Sequence, residues 1–107
     1  MTEPARITVL RQRIDTLDEQ LVALLNARAA CALEVGEVKR SLDMEIYQPD
    51  RERAVLEHVR AINPGPLDGD AVARLFERII DEARRLERLV QQAGQETPHR
   101  RASGQAE

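Results

Sequence analysis

Cysteine is nearly missing from this chain. Cys31 stands alone, so no disulfide can form within it. Glycine and proline are sparse, aromatic residues make up 2% of the sequence, and tryptophan is absent. No apolar run is long enough to span a membrane and none near the N-terminus resembles a signal peptide, so a soluble cytoplasmic protein is expected. There is no glycine-rich phosphate loop, no Ser/His/Asp set and no Cys/His pair. His58 and His99 have no companion at metal-ligand spacing, so neither a metal site nor a cofactor is called for. A net charge of −3 argues against a general nucleic-acid binder.

What the chain does contain is Ala, Leu, Glu and Arg in helical periodicity, with 33% charged residues. The class is all-α, and 107 residues are enough for one domain. The pattern is strongest from Leu10 to Lys39. Leu10, Ile14, Leu17, Leu21, Leu24, Cys31, Val35 and Val38 fall in alternating steps of four and three once position 28 is counted. That is the heptad seam of a long helix burying one stripe. Cys31 reads there as a small core residue rather than a nucleophile. Position 28 itself is Arg28, and a second file beside the seam carries Arg11, Asp18, Leu25, Ala32 and Lys39.

Three cations, Arg11, Arg28 and Lys39, therefore sit on or next to the face that should be buried. A buried cation without a partner is costly. Nearby carboxylates are too few for all three, and a bound anionic ligand is the simplest remedy. At a rise of ~1.5 Å per residue, Arg28 and Lys39 lie about 16 Å apart along the axis, close enough for two long side chains to converge on one small ligand. Arg11 lies about 42 Å from Lys39 on the same reckoning. Either it is unrelated, or it serves the site of a second, antiparallel copy of the chain. The competing reading makes Arg11 and Lys39 flanking charges whose stems cover the seam while their heads reach water.

The first helix is expected from about Arg6 to Ser41, after a lead-in of residues 1–5. Its ~50 Å exceeds the diameter of a compact domain this small, so a partner chain is expected from geometry. Gly36 costs that helix about 1 kcal/mol relative to Ala. It is either simply tolerated or permits close approach of another backbone or a ligand. Residues 42–49 break the pattern and read as a loop, with Asp50 as N-cap of a second helix reaching about Ile62. Projecting its apolar face, Val55, Leu56 and Val59, back by one turn reaches Arg51 and Glu52. These two form an ion pair or line the same cavity as Arg28 and Lys39. Asn63-Pro64-Gly65-Pro66 is a turn. Asp68 then caps a third helix with Val72, Leu75, Phe76, Ile79, Ile80, Ala83, Leu86 and Val90 on its apolar file. Glu87 falls on that file and must be paired or protonated. Residues 1–91 form the domain, and 92–107 read as a disordered polar tail. The inward polar inventory binds anions well and offers no activated nucleophile.

The motifs Leu10-Arg11-x-x-Ile14-Asp15-x-Leu17-Asp18, Leu24-Leu25-x-x-Arg28, Val35-Gly36-x-x-Lys39, Asp50-Arg51-Glu52 and Leu75-Phe76-x-x-Ile79-Ile80 together resemble the all-helical class of chorismate mutases. The resemblance covers roughly residues 6–90. It implies a three-helix chain with a very long first helix, paired as an intertwined homodimer with two equivalent sites. It further implies that Arg11 enters the site from the other chain and that Arg28 binds a substrate carboxylate in its own chain. Lys39 would contact the ether oxygen and a carboxylate, Glu52 would hold the ring hydroxyl, and Arg51 would add positive potential. Three positions depart from the pattern many members share: Gln48 stands where Asp is common among bacterial members, Glu87 where Gln is common, and position 83 lacks the usual hydroxyl. Ala83 replaces a frequent Ser and removes that side-chain contact.

Conversion of chorismate to prephenate is an intramolecular pericyclic rearrangement that needs no nucleophile. A protein can accelerate it by holding the dianion in its reactive chair and stabilising charge on the breaking ether oxygen. The rival within the same fold is isochorismate-pyruvate lyase, whose relatives tend to have an apolar residue where Glu52 stands. A further alternative is a non-catalytic helical dimer that regulates another enzyme of aromatic biosynthesis. The intact set of Arg11, Arg28, Lys39 and Glu52 argues against that decay, while association with such an enzyme stays open.

Overall fold

A computed structural model describes the backbone of residues 2–45 and 48–104 and the side chains through residue 94. Its described residues form three α-helices and no strand: α1 (Glu3–Ser41), α2 (Pro49–Ile62) and α3 (Gly69–Gly104). The chain divides into two units, Met1–Cys31 and Ala32–Glu107.

The first unit is helical from Glu3 onward. The lead-in expected for residues 1–5 is thus mostly helix, because Thr2 acts as a cap. Its Oγ1 accepts from the Ala5 N–H at 3.2 Å and its carbonyl accepts from the Arg6 N–H at 2.9 Å. Pro4 falls in the first turn, where its missing N–H costs nothing. Within this unit Leu10, Ile14, Leu17, Leu21 and Leu24 are all exposed, Leu24 at 66%. Cys31, expected in a core, is exposed with them. One chain by itself does not cover the seam.

In the second unit, α1 ends in a Schellman motif. The Met44 N–H reaches the Lys39 carbonyl at 2.8 Å and the Asp43 N–H reaches the Arg40 carbonyl at 3.1 Å. Asp43 holds the left-handed position at φ 58° that glycine usually takes. The N-cap of α2 is Gln48 rather than Asp50, because Pro49 has a backbone suited to the first helical position. Only the Gln48 backbone serves as the cap, its carbonyl accepting from Arg51 and Glu52 at 3.1 and 3.3 Å. Asp50 instead pairs with Arg53 at 3.4 Å on the surface. Ile46 and Tyr47, within the expected loop, lie outside the described residues.

After α2, the Asn63 amide donates to the Leu67 carbonyl at 2.6 Å and its Oδ1 accepts from Gly65 at 3.2 Å, closing the expected turn. Gly65 takes φ +78°, and the Gly65–Pro66 bond is cis. Asp68 caps α3 as expected, its Oδ1 accepting from the Ala71 N–H at 2.7 Å. The two helices then pack together, with Val59 and Ala73 buried to 6% and 1% exposure. Arg60 and Asp70 meet at 3.3 Å across the turn. The α3 backbone stays helical to Gly104, beyond Val90 where the apolar file stops. Gln, Glu and Ala in that stretch have good helix propensity and extend a helix already nucleated. Of the tail expected at 92–107, residues 105–107 and the side chains from 95 onward lie outside the described ones.

Candidate functional site

Three contacts in the second unit gather polar side chains from the end of α1, the start of α2 and the middle of α3. The first joins Lys39 to Gln48: Lys39 Nζ donates to Gln48 Oε1 at 3.1 Å in a half-buried setting. The Schellman motif fixes the last turn of α1 from which Lys39 projects. Gln48 leaves its cap role to its backbone and so has its side-chain amide available for the lysine. An amide oxygen is a neutral acceptor, so it orients the ammonium without cancelling its charge.

The second contact places Glu87 on Gly36. Gly36 is the buried residue of α1 among the described ones. A Cβ built there would lie 3.3 Å from Glu87 Cδ and Oε2 and 3.4 Å from Oε1. The carboxylate therefore rests against bare helix backbone. What approaches Gly36 is neither another backbone nor a ligand, the two neighbours expected of it, but the Glu87 side chain of α3.

In the third contact, Glu52 of α2 forms an ion pair with Arg84 of α3. The sequence reading offered Arg51 as the partner. Arg51 is instead exposed, while Glu52 is half-buried and turned toward α3. Arg84 is thus the residue missed. The signal was present: it is one residue beyond Ala83, on a helix that had to pack against α2, and an inward carboxylate needs a cation. Ala83 is half-buried and contributes no polar atom beyond its backbone.

Arg11 and Arg28 belong to the first unit, where Arg11 is exposed and Arg28 half-buried. Of the eight residues singled out, the second unit thus brings Lys39 to Gln48 and seats Glu52 and Glu87 against partners on neighbouring helices. One ammonium, one carboxylate paired with a guanidinium and one carboxylate against bare backbone supply charged and hydrogen-bonding groups, with no activated nucleophile among them.

Comparison with known proteins adds three findings. The family model for chorismate mutase type II matches residues 10–88. The bifunctional chorismate mutase/prephenate dehydratase of Stutzerimonas stutzeri is 41% identical over 92 residues, covering 81% of this chain and 25% of that protein. Its counterpart in Pseudomonas aeruginosa is 42% identical with the same coverage. The chain spans about a quarter of the length of these curated relatives. Among solved structures, chorismate mutase (form II) from Thermus thermophilus is similar with a TM-score of 0.75 and 31% identity, covering 78% of this chain and 94% of that one.

Proposed function

Because the chain belongs to the chorismate mutase type II family, we propose that it converts chorismate to prephenate by an intramolecular pericyclic rearrangement. The observation that carries this reading is the family match over residues 10–88, a span that holds Arg11, Arg28, Lys39, Gln48, Arg51, Glu52, Ala83 and Glu87. No bond to the protein forms in this reaction, in keeping with a site that has cations and hydrogen-bonding groups in place of a nucleophile.

In this reading Arg28 binds a substrate carboxylate, and Lys39, oriented by Gln48, reaches the ether oxygen and a carboxylate. As the C–O bond breaks, that oxygen gains negative charge, and a preoriented ammonium stabilises it more in the transition state than in the ground state. Glu52 accepts the ring hydroxyl. Arg51 adds positive potential for the dianion, and Ala83 offers contact without a hydroxyl. Glu87 serves as a donor to the ether oxygen when protonated, since an ionised carboxylate has no proton to give.

Arg11 reaches the site from a second copy of the chain in a homodimer. Supporting this is the exposed seam of Leu10, Ile14, Leu17, Leu21 and Leu24. A contiguous apolar stripe of that length marks an interaction surface. Among the described residues, no helix is long and apolar enough to cross a membrane. A cytoplasmic location fits a biosynthetic role. The bifunctional relatives make an aromatic-pathway enzyme the natural partner to test for.

The experiment is an assay of the purified protein with chorismate, following loss of substrate and appearance of prephenate, with isochorismate in parallel. Turnover of chorismate alone is expected. Turnover of isochorismate to pyruvate and salicylate without prephenate would replace this reading with the lyase.

A further inference from the structure

From the ion pair between Arg84 and Glu52, we infer that Arg84 is a positioning residue for substrate recognition. It holds the Glu52 carboxylate so that one oxygen faces the ligand's hydroxyl, and it removes the charge penalty of placing that carboxylate beside a dianion. The inference rests on the chorismate mutase reading of the site.

Arg84 engages the Glu52 carboxylate, and a carboxylate has lone pairs enough to accept from a guanidinium and from a ligand hydroxyl together. The pair is the least exposed ion pair among the described residues, with side chains at 35% and 27%. Every other such pair has a member exposed to 60% or more. Water therefore screens this contact less than the others. Arg84 is itself steadied from its own helix, its Nη1 lying 3.8 Å from Asp81 Oδ1.

The charge argument is independent of the orientation argument. A ligand with two carboxylates is repelled by any uncompensated carboxylate in its site, and recognition of the hydroxyl by Glu52 would work against binding. A guanidinium on the far oxygen cancels most of that field while leaving the near oxygen a good acceptor. A tie between α2 and α3 for stability alone would not require a site carboxylate as the partner.

The test is a mutant cycle read in KM and kcat for chorismate, using the full chain. Arg84→Ala should raise KM about fivefold with kcat changed less than about twofold, because the lost interaction is present in ground and transition states alike. Arg84→Lys, which restores the charge, should recover most of the loss. In a Glu52→Gln background, where there is no carboxylate to neutralise, Arg84→Ala should change KM less than about twofold. Should Arg84→Ala lose its helical circular dichroism, Arg84→Gln keeps the stem without the charge and carries the same expectation. An unchanged KM, or an equal loss in the Glu52→Gln background, would overturn the inference while leaving the mutase reading intact. Absence of chorismate turnover by the unmodified protein would overturn both.

Discussion

Gly36 and Glu87 share one seat. The carboxylate lies tight against the place a Cβ at position 36 would take, 3.3 Å from it. Alanine at that position removes the helix cost of glycine, about 1 kcal/mol. Its methyl group meets the end of a flexible side chain, which can swing away. Stability and activity should therefore separate. Gly36→Ala is expected to raise the thermal midpoint while lowering kcat/KM, because the Glu87 carboxylate must shift by a few tenths of an ångström. A variant with higher midpoint and undiminished kcat/KM would show that the seat does not matter. Glu87 itself raises a question of protons. Glutamine has the same reach and donates at every pH, whereas glutamate donates only when protonated. Glu87→Gln should keep or improve kcat/KM with chorismate, since glutamine always has a proton to donate. A severalfold loss in kcat/KM would show that residue 87 does not act as a donor to the ether oxygen.

Among the elements, the junction between α1 and α2 decides where Lys39 sits. The last turn of α1 closes through a Schellman motif whose left-handed residue is Asp43 at φ 58°. For a residue with a Cβ the left-handed conformation costs roughly 1–2 kcal/mol, and an aspartate recovers part of this through local hydrogen bonding. Glycine has no such cost but loses more entropy on folding. Asp43→Gly should therefore stabilise the fold by about 0.5 kcal/mol, read as a higher urea midpoint at unchanged slope. Asp43→Val should destabilise it. A lower midpoint for the glycine variant would mean that the Asp43 carboxylate contributes something the backbone geometry does not reveal. The start of α2 is arranged to the same end. Because the Gln48 carbonyl caps the helix, its side chain is left for Lys39.

For the whole molecule, the question is how a long apolar seam is covered. Leu10, Ile14, Leu17, Leu21 and Leu24 are exposed in the single chain, and Val59 and Ala73 are the only buried apolar side chains among the described residues. A second copy packed on the seam would bury it and would bring Arg11 to the other chain's site. Arg11→Ala and Arg28→Ala should each give folded but inactive homodimers. Co-expressed, they should recover about a quarter of wild-type activity, since half of random pairs are mixed and each mixed dimer has one intact site of two. Verified mixed dimers without activity would sink the shared site.

The residues that could be read directly are those whose signal is local. The heptad seam, the Asn63–Pro66 turn and the Asp68 cap depend on neighbours within a few positions, and the three-helix class followed from them. Glu52 and Glu87 could be recognised as inward carboxylates from periodicity alone. Their partners were not identified: Arg84 carried a signal only as a cation on a helix that had to pack against α2, and Gly36 and Arg84 meet these carboxylates only when helices far apart in the chain pack. The same holds for Gln48: proline at position 49 signalled a boundary, but the contact of the Gln48 side chain with Lys39 joins two elements. Sequence by itself determined the number and order of the helices, though not their ends, and which face is apolar and which charges lie on it. Tertiary structure alone decided which of those charges neutralise or support one another, since an ion pair or a close approach is a property of two elements in contact.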